Sequence, residues 1–261
     1  GGGALMDDSA AQAAAEKKRL RAHRRALQEE QRARKLLHSR SPSAVEVLLI
    51  RHGETSWNAE HRLQGQLDPP LNDTGRQQAQ QVCAALAERC VCQPVEALYS
   101  SDLRRCVETA QPIAAALDLQ LCTREALRER HLGVLQGLTK GEAHLMEPAA
   151  WSALLNGSDA DRVPGGGESV EDLASRAQGA IDDIARKHPG GRVIVVTHGG
   201  VLAQLHCLAA GHCSGAPSIN CSINSLLVEP GRWALLRWGG VQHLQAGSYA
   251  AHAFGGGGRS G

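Results

Sequence analysis

No apolar run in the 261 residues approaches the roughly 18 that a membrane-crossing helix needs. None of the eight cysteines, at 83, 90, 92, 106, 122, 207, 213 and 221, forms a CxxC, which removes the usual zinc and dithiol pairings. Scattered over predicted helices and strands, they read as reduced, mostly buried thiols of a cytosol-like compartment and not as a disulfide framework. Net charge is also lacking, at a formal +1 at pH 7. The bias that exists lies in residues 1–43, with ten Lys/Arg against five Asp/Glu. A near-neutral body with a basic arm excludes a dedicated nucleic-acid binder. Position 1 is not Met, and Met6 is followed by Asp7 and Asp8, which argues against a secretory signal and, more weakly, a transit peptide. The expected compartment is the cytoplasm, with a plastid as the alternative.

Residues 10–38 are rich in Ala, Arg, Lys and Glu, all helix formers, with few large apolar side chains to bury. They read as a solvated arm; a docking segment for a protein partner or an anionic surface is the sharper alternative. From 44 onward strands and helices alternate. Strands are predicted at 45–50, 95–99, 119–122, 192–196, 222–228 and 233–238. Helices are predicted at 74–89, opened by a Thr74–Gln77 capping box, and at 102–117, 141–155, 169–187 and 200–210. This order implies a three-layer α/β/α sandwich with a mostly parallel sheet and an antiparallel hairpin at one edge. The expected division is an arm at 1–43, a catalytic domain at 44–246 and a Gly-rich flexible tail at 247–261.

Ligands of open α/β sheets sit off the carboxyl ends of the strands. Two strands here end alike, in Arg51-His52-Gly53 and in Thr197-His198-Gly199. If they are neighbours, His52 and His198 face each other across one crevice, and the glycines let backbone approach a ligand. The helix opening at Gly199 would aim its amides at an anion there. Arg104, in the first turn of another helix, is unfavourable for the helix dipole, which hints at a forked donor for phosphate. Asn58 can add an amide donor. Two arginines beside two histidines repel a metal ion, so no metal is expected.

These stretches resemble the histidine phosphatase (phosphoglycerate mutase-like) superfamily, branch 1. Residues 49–55, LIRHGET, resemble its signature, and 101–110, SDLRRCVETA, its second motif. Residues 127–133, LRERHLG, resemble its acid loop, and 197–200, THGG, its last motif. SSDLRR, LRERHLG and PGGGES are similar to the plant phosphoglycerate mutase-like phosphatases. The resemblance covers about 45–245 and implies that fold and a phosphoryl transfer through phosphohistidine without metal or other cofactor. His52 would be the nucleophile, attacking as neutral imidazole because Arg51 and Arg104 disfavour its charged form. Arg51, Arg104, Asn58 and His198 would hold the phosphoryl oxygens. Glu129 would be the general acid, then the base on water. Gln64 and Gly65 match a substrate-contacting position, and Arg62, Arg128, Lys140 and Arg162 are candidate contacts for an acidic sugar phosphate. Gly53 would clear space for the phosphate. The implied partner is a small phosphomonoester. True mutases carry an arginine pair after the acid loop, but residues 141–168 hold only Arg162, which favours a phosphatase over a mutase. A non-catalytic phospho-ligand scaffold would tend to have lost His52 or Glu129, and both are present.

Overall fold

The computed structural model describes residues 16–17, 24, 27–28, 30–91, 93–213 and 218–245. The Gly-rich tail and most of the basic arm lie outside these residues. The chain divides into two units, Gly1–Arg40 and Ser41–Gly261. In the first, residues 30–38 are helical.

The second unit holds one six-stranded sheet. Its strands are β1 (Val45–Arg51), β2 (Ala97–Ser100), β3 (Leu121–Thr123), β4 (Arg192–Thr197), β5 (Ile223–Glu229) and β6 (Arg232–Gly240), in the order β3-β2-β4-β1-β5-β6. β1 to β4 run parallel, and β5 is antiparallel to both β1 and β6. The helices are α1 (Ser56–Ala59), α2 (Asp73–Cys90), α3 (Arg104–Leu117), α4 (Lys140–Met146), α5 (Pro148–Asn156), α6 (Val170–Lys187) and α7 (Gly199–Ala210).

β1 is buried along its whole length, as a central strand covered on both faces must be. Its side chains alternate between the layers. Val47 and Leu49 join Leu173, Ile181 and Val201 in the core under α6 and α7. Leu48 and Ile50 join Val82, Leu86 and Ile113 in the core under α2 and α3. A third, smaller core gathers Leu63, Leu132, Leu135, Leu154 and Val163 beneath α4 and α5, away from the sheet cores.

Three local expectations change. α2 is capped by Asn72, whose side chain accepts from Gly75 N, so the helix starts ahead of the expected Thr74 box. The single helix expected at 141–155 is two, because Pro148 takes the first turn of α5. Cys207 and Cys213 are joined by a disulfide, where reduced thiols were expected. Gly211, in the left-handed region at φ +74°, ends α7 and turns the chain back so that the two meet.

Candidate active site

The pairing of β1 with β4 sets Arg51 opposite Thr197, and the His52 amide donates to the Thr197 carbonyl at 2.9 Å. The following residues are therefore brought together, and the His52 and His198 ring centroids stand 5.2 Å apart. His52 lines a cavity of about 250 Å³ with Arg51, Asn58, Gln64, Gly65, Arg105, Glu129 and Lys140. His52 Nδ1 lies 2.7 Å from the Gly53 carbonyl, which can only accept. Nδ1 therefore carries the proton, and Nε2 keeps the lone pair. Burial first, then the charges of Arg105 and Arg51, pushes His52 well below its ordinary 6.5, so the ring is neutral.

Arg105, not Arg104, is the second arginine of this site. α3 begins at Arg104, whose amide donates to Asp68 and whose Nε bonds Glu108 at 2.6 Å on an exposed face. The next residue points about 100° further round the helix and inward. Arg105 is fully buried, and its Nη1 and Nη2 donate to the carbonyls of Leu67 and Gly65, each at 2.8 Å. Arg51 donates to the Ser218 carbonyl. Burial lowers Arg51 to about 10, which leaves it a cation at neutral pH. The Nε–H groups of Arg51 and Arg105 are both buried without an acceptor. Such donors are costly unless a ligand supplies the acceptor.

Glu129 enters from the segment between two 3-10 turns, Glu125–Leu127 and Gly133–Leu135. Its Oε1 accepts from Arg130 N at 2.8 Å and its Oε2 from Gly200 N at 2.9 Å. The N-terminal end of α7 is thus turned to a carboxylate of the chain itself, and Gly199 lies buried beside it and off the cavity wall. His198 also stands off the wall, one layer behind His52, with Nε2 2.9 Å from Ser101 Oγ and 3.4 Å from Cys106 Sγ. Burial first, then Arg105, lowers it well below 6.5. Gly53 does not clear space for a ligand: a Cβ there would meet the Gly75 carbonyl oxygen at 2.6 Å, so it allows two backbones to cross.

Asn58 closes the capping box of α1, its Oδ1 accepting from Thr55 N at 3.1 Å. The amide nitrogen is what it has to offer a ligand. Gln64 is buried with its Oε1 unpartnered. Gly65, at φ +52°, presses against Gln136, where an added Cβ would meet Oε1 at 2.2 Å. Lys140 and Arg62 are on the wall, although Arg62 already bridges Glu60 and Glu142. Arg128 and Arg162 are elsewhere, paired with Asp102 and Asp172.

Besides Arg105, Asn220 and Arg130 are wall residues that the sequence did not single out. Asn220 donates to the His52 carbonyl at 2.8 Å, and nothing in its loop signals this. Arg130 is buried with Nη1 unpartnered, and its place beside Glu129 was the available hint.

A profile of the histidine phosphatase superfamily (branch 1) matches residues 47–240. Phosphoglycerate mutase-like protein 4 of Arabidopsis thaliana is 45% identical over 216 residues, covering 81% of this chain and 92% of its own. The metal-independent phosphoserine phosphatase of the same plant is 41% identical over 215 residues, covering 81% and 88%. Among solved structures, mycobacterial glucosyl-3-phosphoglycerate phosphatase matches with a TM-score of 0.66 at 31% identity, over 76% of this chain and 100% of that one. A neutral histidine between two arginines at the end of β1, in a fold shared with these proteins, has one consistent reading: the chain belongs to the histidine phosphatase superfamily, branch 1, and is a phosphatase.

Proposed function

We propose that the chain hydrolyses a small phosphomonoester with an acidic or sugar leaving group, through a phosphoryl group carried on His52. One observation carries this reading: the guanidinium groups of Arg51 and Arg105 line one cavity with a neutral imidazole. A phosphoryl dianion there meets two cations and a nucleophile. His52 Nε2 then attacks phosphorus, and Glu129 gives its proton to the leaving oxygen as the P–O bond breaks. In the second step Glu129 takes a proton from water, the water oxygen attacks phosphorus, and the P–N bond breaks to return neutral His52. The positive character of Arg51, Arg105 and Asn58 faces the charge that spreads over the phosphoryl oxygens. His198, one layer back, supports the His52 ring.

Other residues of the cavity wall support the class of leaving group. Arg130 Nη1 is a buried donor without an acceptor, and Lys140 adds a second cation, which suits a carboxylate. Gln64 Oε1 is a buried acceptor without a donor, which suits a hydroxyl. An isomerase has less support, since Arg162 lies on the surface against Asp172.

The test is phosphate release from a panel of monoesters, headed by phosphoserine and glucosyl-3-phosphoglycerate, the compounds for which two similar proteins are named. The expected result is release from an acidic ester, an acid-labile phosphate on His52 found by mass spectrometry, and neither with His52→Ala. Turnover that survives His52→Ala would remove His52 as nucleophile. Isomerised product without release would make the chain a mutase.

A further inference from the structure

The segment bearing Glu129 has no regular structure between its two 3-10 turns. A group that must meet a leaving oxygen has to be held to within about 0.5 Å, usually by packing and hydrogen bonds behind it. Here one side chain of α6 does most of the holding. Arg176 Nη1 donates to the carbonyls of Ala126 at 3.1 Å and Arg128 at 2.6 Å, and Nη2 donates to the carbonyl of Glu129 at 2.8 Å. The same guanidinium forks onto Glu168, with Nε to Oε1 at 2.6 Å and Nη2 to Oε2 at 2.8 Å. Arginine has five N–H donors, and here each has its own acceptor.

Glu168 grips the next two residues. Its Oε2 accepts from His131 N, and its own amide donates to the His131 carbonyl, both at 2.8 Å. Its carbonyl accepts from Arg130 Nε at 2.9 Å. The chain from 126 to 131 is therefore fastened at five residues by one ion pair that does not line the cavity. Gln66 Nε2 adds a tie to the Glu129 carbonyl at 3.1 Å, Thr197 Oγ1 one to the Leu127 carbonyl at 2.8 Å, and Asp102 one to the Arg128 side chain. The Glu129 carboxyl is then aimed by the Arg130 and Gly200 amides, and Arg130 is itself tied to Glu168.

We propose that Arg176, set by Glu168, is a positioning residue for the acid step, fixing where the Glu129 carboxyl meets the leaving oxygen. The inference rests on the assignment of Glu129 as the acid. No other common side chain can replace it: lysine offers three donors from one point and cannot reach three carbonyls and a carboxylate in one plane.

Acid help matters for a poor leaving group, such as the alkoxide of phosphoserine, and little for a good one, such as p-nitrophenolate. The kcat/KM of these two esters, which reports the phosphorylation step and not the hydrolysis of the phosphohistidine they share, is compared in the unaltered protein, Arg176→Lys, Glu129→Gln and the double variant, with thermal melting followed in each. Arg176→Lys should slow the alkyl ester by about 10²-fold, the scale of a 1 Å misplacement, and the aryl ester only a few-fold. In the Glu129→Gln background it should widen the gap between the esters no further. Equal slowing of both esters by Arg176→Lys, while Glu129→Gln remains selective, would reduce Arg176 to a structural part and overturn the proposal. Equal slowing by Glu129→Gln itself would instead overturn the acid assignment. If Arg176→Lys does not fold, Glu168→Gln loosens the same fork, and the same two-ester comparison decides.

Discussion

Arg104 and Arg105 are adjacent in sequence and opposite in circumstance. Arg104 has an exposed side chain that meets Glu108, so Arg104→Ala removes a surface pair of about 0.5 kcal/mol or less. Arg105→Ala takes away a buried cation of the cavity wall and leaves the Gly65 and Leu67 carbonyls without their donor. We expect turnover to fall by at least 10²-fold in Arg105→Ala, as for loss of one preorganised donor, and to stay near the unaltered level in Arg104→Ala. Comparable losses in both would place the site elsewhere. The strand-end pattern that exposed Arg51 and His52 could not decide between these arginines. The choice depends on which residue begins α3, and a shift of one residue turns the side chain through a quarter of the helix. His198 failed to reach the wall for a similar reason: a strand end places a backbone, and the side chain's depth depends on Ser101, just after β2, and on Cys106 of α3.

Elements beyond the sheet position what the strand ends cannot. Gly133 sits at φ +54°, and a Cβ there would meet the Pro164 carbonyl oxygen at 1.9 Å. The acid loop thus passes hard against the Pro164-Gly165-Gly166-Gly167 turn, which leads to Glu168. Gly133→Ala should push the two apart and combine a strained backbone with a clash. The expected outcome is a lowered melting temperature and a fall in kcat on alkyl esters; unchanged values for both would mean the two loops yield freely. The glycine run was visible in the sequence, but its use was not, because close contact between loops some 30 residues apart leaves no periodic signal. By contrast, Pro148 is a readable stop for α4, since proline fits the first turn of a helix and not its interior.

At the scale of the molecule, two neutral imidazoles are buried beneath two guanidinium groups. Folded His52 and His198 are held well below 6.5, while the unfolded chain binds protons at the ordinary value. Below pH 6.5 the unfolded state therefore takes up protons that the folded state refuses. Stability is full above that pH and falls as pH drops, by up to about 1.4 kcal/mol per pH unit for each histidine. Urea unfolding between pH 8 and 5 should show a shallower loss in His52→Gln than in the unaltered protein. Parallel curves would mean that His52 takes up protons alike in the folded and unfolded states. The mostly parallel sheet and its two covering layers were legible from the alternation of elements, and the antiparallel hairpin from the short Glu229-Pro230-Gly231 turn. Strand order was not, since period and length do not say that β4 lies between β1 and β2.

The third core, under α4 and α5, is separate from the two that clamp the sheet. Amides of β1 and β4 should exchange with solvent only when the whole domain opens, whereas those of 141–156 can exchange through a local opening of the small core. The phosphoryl-transfer end of the cavity rests on the sheet, and Lys140 rests on α4. Gentle warming should therefore erode discrimination among leaving groups while simple aryl phosphates are still hydrolysed. This enzyme would become promiscuous before it becomes inactive.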